Sequence, residues 1–170
     1  MKDVLKCLGL FAVGLLTAIF LYPFLHELGH SVATILFGTR IEDFRLLPLP
    51  SVMCEVDITD KWNIIAVGFG GMLLPYLVSC VSPVKHFWVW YVWFVNSFIC
   101  LLSIVLSIVG ICLYNHGSPM QNEDVTQIMQ YASEYYPIYL AILIGLFGLR
   151  LIQIIKTKPI VRCTKQFNIE

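Results

Sequence analysis

The residues able to do chemistry together fall in one stretch, Phe24 to Gly38, which reads FLHELGHSVATILFG. It sets His26, Glu27 and His30 in the order His-Glu-x-x-His. On an α-helix, side chains four apart stand one above the other, so His26 and His30 can aim their imidazoles at one cation. Glu27 lies beside that cation rather than under it. A carboxylate there can take a proton from a metal-bound water and pass it to a leaving amine. The competing reading is a pair of isolated polar residues hydrogen-bonded inside an apolar helix. Chance gives this spacing in roughly 0.3% of chains with the His and Glu content found here, and ionisable groups in an apolar span are costly. The metal reading is therefore preferred.

A catalytic zinc keeps three protein ligands and one open position, so a third donor has to come from elsewhere in the chain. Two polar insertions interrupt the apolar sequence, Thr39 to Lys61 and Asn115 to Tyr136. If the apolar runs cross a bilayer in succession, both insertions emerge on the side nearer His26 and His30. Asp124 is the chosen third ligand, because it opens a short helix in the second insertion and offers a hard oxygen. Glu123 is the close alternative, since helical register is uncertain by a residue. His116 and Glu134 are weaker candidates. Glu55 and Asp57 lie on the converging side but face water.

The elements that must hold these residues are apolar. The 170 residues are 58% hydrophobic and 13% charged, with a mean hydropathy of +0.79. A soluble domain of this length does not need so much apolar sequence. The expected fold is an all-α polytopic membrane protein: about four transmembrane helices (4–37, 62–81, 86–114 and 137–155) with a small β hairpin (39–60) at the membrane surface, in one domain. The net charge is zero and there is no basic patch, so no nucleic-acid partner is expected. Six cysteines form no C-x-x-C pair and predict neither a disulfide framework nor a thiolate metal site. The N-terminus resembles a signal peptide but lacks a small-x-small cleavage site, so it is expected to be retained as the first span.

Taken in order, the first apolar run is too long for one bilayer crossing and is expected to tilt or to break at Tyr22-Pro23. Val52, Cys54, Val56 and Ile58 alternate with polar residues at period two, a half-buried strand, with Arg40 to Leu47 as its partner through Pro48-Leu49-Pro50-Ser51. A free strand edge there offers a place for an extended peptide. The second span carries Ala66, Gly68, Gly70 and Gly71, small residues that let another helix approach. Ser82 to Lys85 is a short turn. His86 is read as an interface residue, and Trp88, Trp90, Tyr91 and Trp93 as an aromatic belt. Asn96, Ser97, Ser103 and Ser107 are expected to bond between helices. Asn122 is expected to cap a short helix running to Ser133, and Arg150 to snorkel from the fourth span. Basic residues near both termini favour a cytosolic location for them.

The stretch HELGHSVATILFGTRIEDFRLLPLP, the hairpin after it and GFGGMLLPYL together resemble the site-2 protease family of intramembrane zinc metalloproteases (peptidase family M50), in particular its smaller branch. The resemblance implies Zn2+ held by His26, His30 and Asp124, with Glu27 activating water to cut a substrate helix within the membrane. The implied partners are a membrane protein substrate and the lipid bilayer. Members of this family more often open their site towards the cytosol, whereas the basic termini point the other way. The family pattern at the third ligand is N-P-D-G or L-D-G, whereas this chain has Gln121-Asn122-Glu123-Asp124-Val125. That departure motivates the alternative of a catalytically inactive relative that binds membrane segments or metal.

Overall fold

Long apolar runs leave backbone amides no bonding partner outside their own segment, and the chain satisfies them as helices. The computed structural model describes residues 2–81, 85–121 and 123–167. Its helices are α1 (Lys2–Leu16), α2 (Tyr22–Leu36), α3 (Lys61–Val78), α4 (Phe87–Asn115), α5 (Asp124–Ala132), α6 (Tyr136–Lys156) and α7 (Pro159–Phe167). Four stretches are long and apolar enough to cross a membrane: Val4–Leu36, Lys61–Val78, Phe87–Asn115 and a run within Asp124–Gln166. Between α2 and α3 lie the only described strands, β1 (Ile41–Arg45) and β2 (Ser51–Cys54), paired antiparallel with Phe44 opposite Val52.

The first stretch spans 33 residues, about 50 Å at 1.5 Å per residue. Its irregularity falls one turn before the expected Tyr22-Pro23 break. Thr17–Leu21 forms a single π-helical turn, closed by the Tyr22 amide on the Thr17 carbonyl. Pro23 has no amide to give, and its ring would press on the carbonyl four residues back. The wider turn absorbs that conflict, and Pro23 then sits in the first turn of α2, where no donor is needed.

The strand is shorter than its alternation predicts. Period two holds through Cys54, and Val52 and Cys54 are the more buried positions of β2. Beyond it, Asp57 accepts bonds from the Thr59 hydroxyl (2.7 Å) and amide (2.9 Å), which hold its carboxyl below the usual range. That side-chain turn competes with strand extension. Asp60 then caps α3 through the Trp62 amide at 2.9 Å.

Helices α2 and α3 meet through glycine. A Cβ on Gly70 would lie 2.7 Å from the Gly29 carbonyl oxygen and 2.9 Å from Ala33 Cβ, so only bare backbone fits on this seam. Helix α5 packs into the same core. Ile128, Met129 and Ala132 are fully buried with Ile104 and Ile111 of α4 and Leu143 of α6. A second cluster gathers Trp90, Trp93, Leu101 and Ile154, with Cys163 of α7 against it.

Several expectations are corrected. Arg150 does not snorkel: it is 1% exposed, and its guanidinium donates to the carbonyls of Tyr76 and Ser79 and lies 4.1 Å over the Tyr76 ring. It thereby satisfies the carbonyls that α3 leaves open at its end. Of the four residues of α4 expected to bond between helices, Asn96 bonds to the end of α3, through Ser79 Oγ at 2.6 Å and the Pro75 carbonyl at 3.3 Å. Ser97 Oγ is buried without a partner, while Ser103 and Ser107 line a cleft. The cap of α5 is Glu123; Asn122 lies outside the described residues, as do 82–84 of the expected turn. Helix α7 was not anticipated.

Candidate metal centre

Helix α2 presents His26 and His30 on one face, as their spacing requires. Their Nε2 atoms are 3.1 Å apart. Helix α5 brings Asp124 to them from the other polar insertion. Its Oδ2 is 3.1 Å from His26 Nε2 and 3.3 Å from His30 Nε2. Among the described residues these three form the group whose donor atoms lie close enough to hold one metal ion. A tetrahedral zinc with bonds of about 2.0–2.1 Å separates its ligand atoms by about 3.3 Å. All three edges match that spacing, and two neutral imidazoles with one carboxylate suit a divalent cation.

The surrounding groups fix this arrangement. His30 Nδ1 donates to the Val67 carbonyl of α3 at 2.7 Å, which leaves the Nε2 lone pair facing its partners. His26 Nδ1 is buried and has no such bond, so His30 is the more firmly oriented of the two. Gly71 makes the approach of α3 possible: a Cβ there would collide with His30 Nε2 and lie 2.7 Å from His26 Cε1. Glu123 holds the start of α5. Its Oε2 accepts from the Thr126 amide at 3.1 Å and hydroxyl at 3.3 Å. Burial pushes the Glu123 carboxyl up, and those two bonds oppose the shift. Glu123 and Asp124 thus divide the work: the first caps the helix, the second faces the imidazoles.

Glu27 stands beside the three donors. Its Oε2 accepts the backbone N–H of Val52 in β2 at 2.9 Å. A cleft of about 580 Å³ joins these parts; it is lined by His26, Glu27, His30 and Asp124, by Val52 to Cys54, and by Ser103 and Ser107 across from them. A second recess of about 570 Å³ shares Val56, Met120, Glu123 and Gln127 with it. Cys54 lines the cleft as a neutral thiol, its ionisation disfavoured by burial. By the helical rise, His30 and His26 lie roughly 9 and 15 Å below the end of α2.

The weaker candidates lie elsewhere. His116 is exposed at the end of α4. Glu134 pairs with Lys61. Glu55 and Asp57 are exposed on the segment after β2, and His86 is exposed before α4. Two participants escaped the sequence reading, the Val67 carbonyl and the Val52 amide. Both are backbone groups, and no side-chain pattern marks them. Gly71 was read as a helix-packing residue, and its position beneath the imidazoles is visible only in three dimensions.

No family model matches the chain, and no curated protein or solved structure matches it either.

Proposed function

We propose that the protein is an integral, multi-pass membrane metalloprotease, using Zn2+ to hydrolyse peptide bonds in or near a transmembrane segment of a substrate protein. The observation that carries this reading is the meeting of His26, His30 and Asp124, drawn from two distant segments, with Glu27 alongside and a cleft in front. The four apolar stretches support the membrane setting. The charges support it too. Lys6, Lys85, Lys156, Lys158 and Lys165 lie towards the end of the bundle away from the hairpin, whereas the hairpin end carries an acidic excess, with Glu42, Asp43, Glu55, Asp57 and Asp60 beside Arg40, Arg45 and Lys61. In this reading the hairpin sits at the membrane surface, and the resemblance to site-2 proteases supplies the substrate class.

Zinc, when bound, supplies a polarised water and a Lewis acid for the scissile carbonyl. The chain does the rest. His26, His30 and Asp124 would hold the ion and leave one position open to the cleft. A Glu27 carboxylate oxygen accepts the proton of the attacking water and returns it to the leaving nitrogen. The unpaired edge of β2 lines the cleft and offers backbone groups to an unwound substrate segment. Substrate unwinding is required, because a peptide bond in a membrane helix is protected by its own hydrogen bonds.

The test is a cleavage assay in bilayer discs against a panel of single-span membrane proteins, with zinc measured in parallel. Wild type is expected to hold about one zinc per chain and to cleave. Glu27→Gln is expected to hold zinc and not cleave. Cleavage at the wild-type rate by Glu27→Gln removes the role given to Glu27, and a zinc-free wild type removes the enzyme.

A further inference from the structure

The Val52 amide serves Glu27 in the free protein, and it is also a group that a docking strand would need. In an antiparallel pair, the N–H and C=O of one residue point to the same edge, and alternate residues point to opposite edges. The Glu55 amide bonds to the Arg40 carbonyl of the neighbouring segment at 2.8 Å, so odd-numbered positions of β2 face β1. Val52 and Cys54 therefore turn their backbone groups to the free edge. That edge lines the cleft holding the three metal donors. Its first donor is occupied, because Val52 N–H points at Glu27 Oε2, 2.9 Å away.

From this competition we infer that substrate docking releases the catalytic base. The inference rests on the hydrolase reading and concerns the regulation of that site. An extended segment pairing with β2 places a carbonyl where Glu27 Oε2 now lies, and the Val52 amide exchanges one acceptor for the other. The exchange conserves the number of bonds at Val52, but docking must first displace the Glu27 carboxylate from it, a cost on the scale of one hydrogen bond to a charged group. The exchange leaves the Glu27 carboxylate free to turn to the water it must deprotonate. An empty cleft keeps the base tied to the strand, and a small molecule that never reaches β2 leaves it tied. The device gives preference to extended polypeptide over short amides without requiring any side-chain selectivity.

The competition is tested without catalysis. The probe is a fluorescein-labelled octapeptide of alternating Thr and Val, titrated onto the full-length, zinc-free protein in bilayer discs. Glu27→Ala removes the competing acceptor and is expected to bind the probe about tenfold more tightly than wild type, the scale of one hydrogen bond to a charged group. Equal or weaker binding by Glu27→Ala overturns the inference. A second variant removes the donor instead. Proline is tolerated at an edge position whose N–H faces away from the partner strand, so Val52→Pro frees Glu27 permanently. With zinc bound, its kcat on a short fluorogenic peptide amide is expected to rise about tenfold, while cleavage of a full transmembrane substrate falls. A parallel fall on both substrates means that Val52 merely holds Glu27 in its working position, and overturns the gate while leaving the hydrolase intact. An inert wild type removes the hydrolase reading, whereas the competition is still decided by the binding titration.

Discussion

Gly71→Ala places one methyl group beneath both imidazoles. Its Cβ would stand 2.7 Å from His26 Cε1 and 2.7 Å from His30 Cε1, and would overlap His30 Nε2. Ordinary contact begins near 3.4 Å, and the overlap with His30 Nε2 is the tightest, so something must move by about 1 Å. Zinc ligand distances tolerate about ±0.2 Å, so the shift is several times the allowance. Turning one ring does not relieve it, because the methyl meets both. Retreat of α3 carries away the Val67 carbonyl that orients His30. Stability is expected to fall by no more than about 2 kcal/mol: overpacking costs about 1–3 kcal/mol, offset by about 1 kcal/mol from replacing a helix-interior glycine. Zinc affinity is expected to fall by about 100-fold or more, beyond the upper end for losing an outer-shell partner. The assay is competition with a chelator of known affinity on protein in bilayer discs, with helicity followed by circular dichroism. Gly148→Ala is the control, since nothing lies within 4 Å of its added methyl. Wild-type zinc affinity in a folded Gly71→Ala protein would refute the placement of α3 against the imidazoles.

Other perturbations separate the parts of the centre. Asp124→Ala is expected to lose zinc, whereas Glu123→Ala keeps it and destabilises α5 by about 1 kcal/mol as a lost cap; metal analysis showing the reverse would exchange their roles. His26→Ala and His30→Ala are each expected to leave substoichiometric zinc, measured on the same purified samples. Arg150→Met should leave the Tyr76 carbonyl with only the weak Cys80 thiol as donor, while the Ser79 carbonyl keeps Trp93 Nε1 at 2.9 Å, and cost about 1–3 kcal/mol in a reversible unfolding assay, with zinc stoichiometry unchanged. A neutral result there would mean that the end of α3 finds other donors.

Local patterns already carried much of this protein. The His-Glu-x-x-His spacing places two imidazoles on one helical face whatever surrounds them, because it follows from 3.6 residues per turn. Runs such as Phe87 to Tyr114 have to be helical wherever water is excluded. Asp124 could be narrowed to one short insertion by counting chain crossings, yet its distinction from Glu123 is a matter of register. One residue along α5 turns a cap into a ligand candidate, and only packing of Ile128 and Met129 into the core fixes which is which. Arg150 misled for the same reason: a long cation at the end of an apolar helix reads as surface-seeking, until α3 presents it with unpaired carbonyls. The Val67 carbonyl and the Val52 amide left no trace in the sequence, since every residue but proline carries both groups. What the chain encodes locally is which side chains share a face; which backbone groups meet them depends on the close approach of α2, α3 and the hairpin, and on the glycines that permit it.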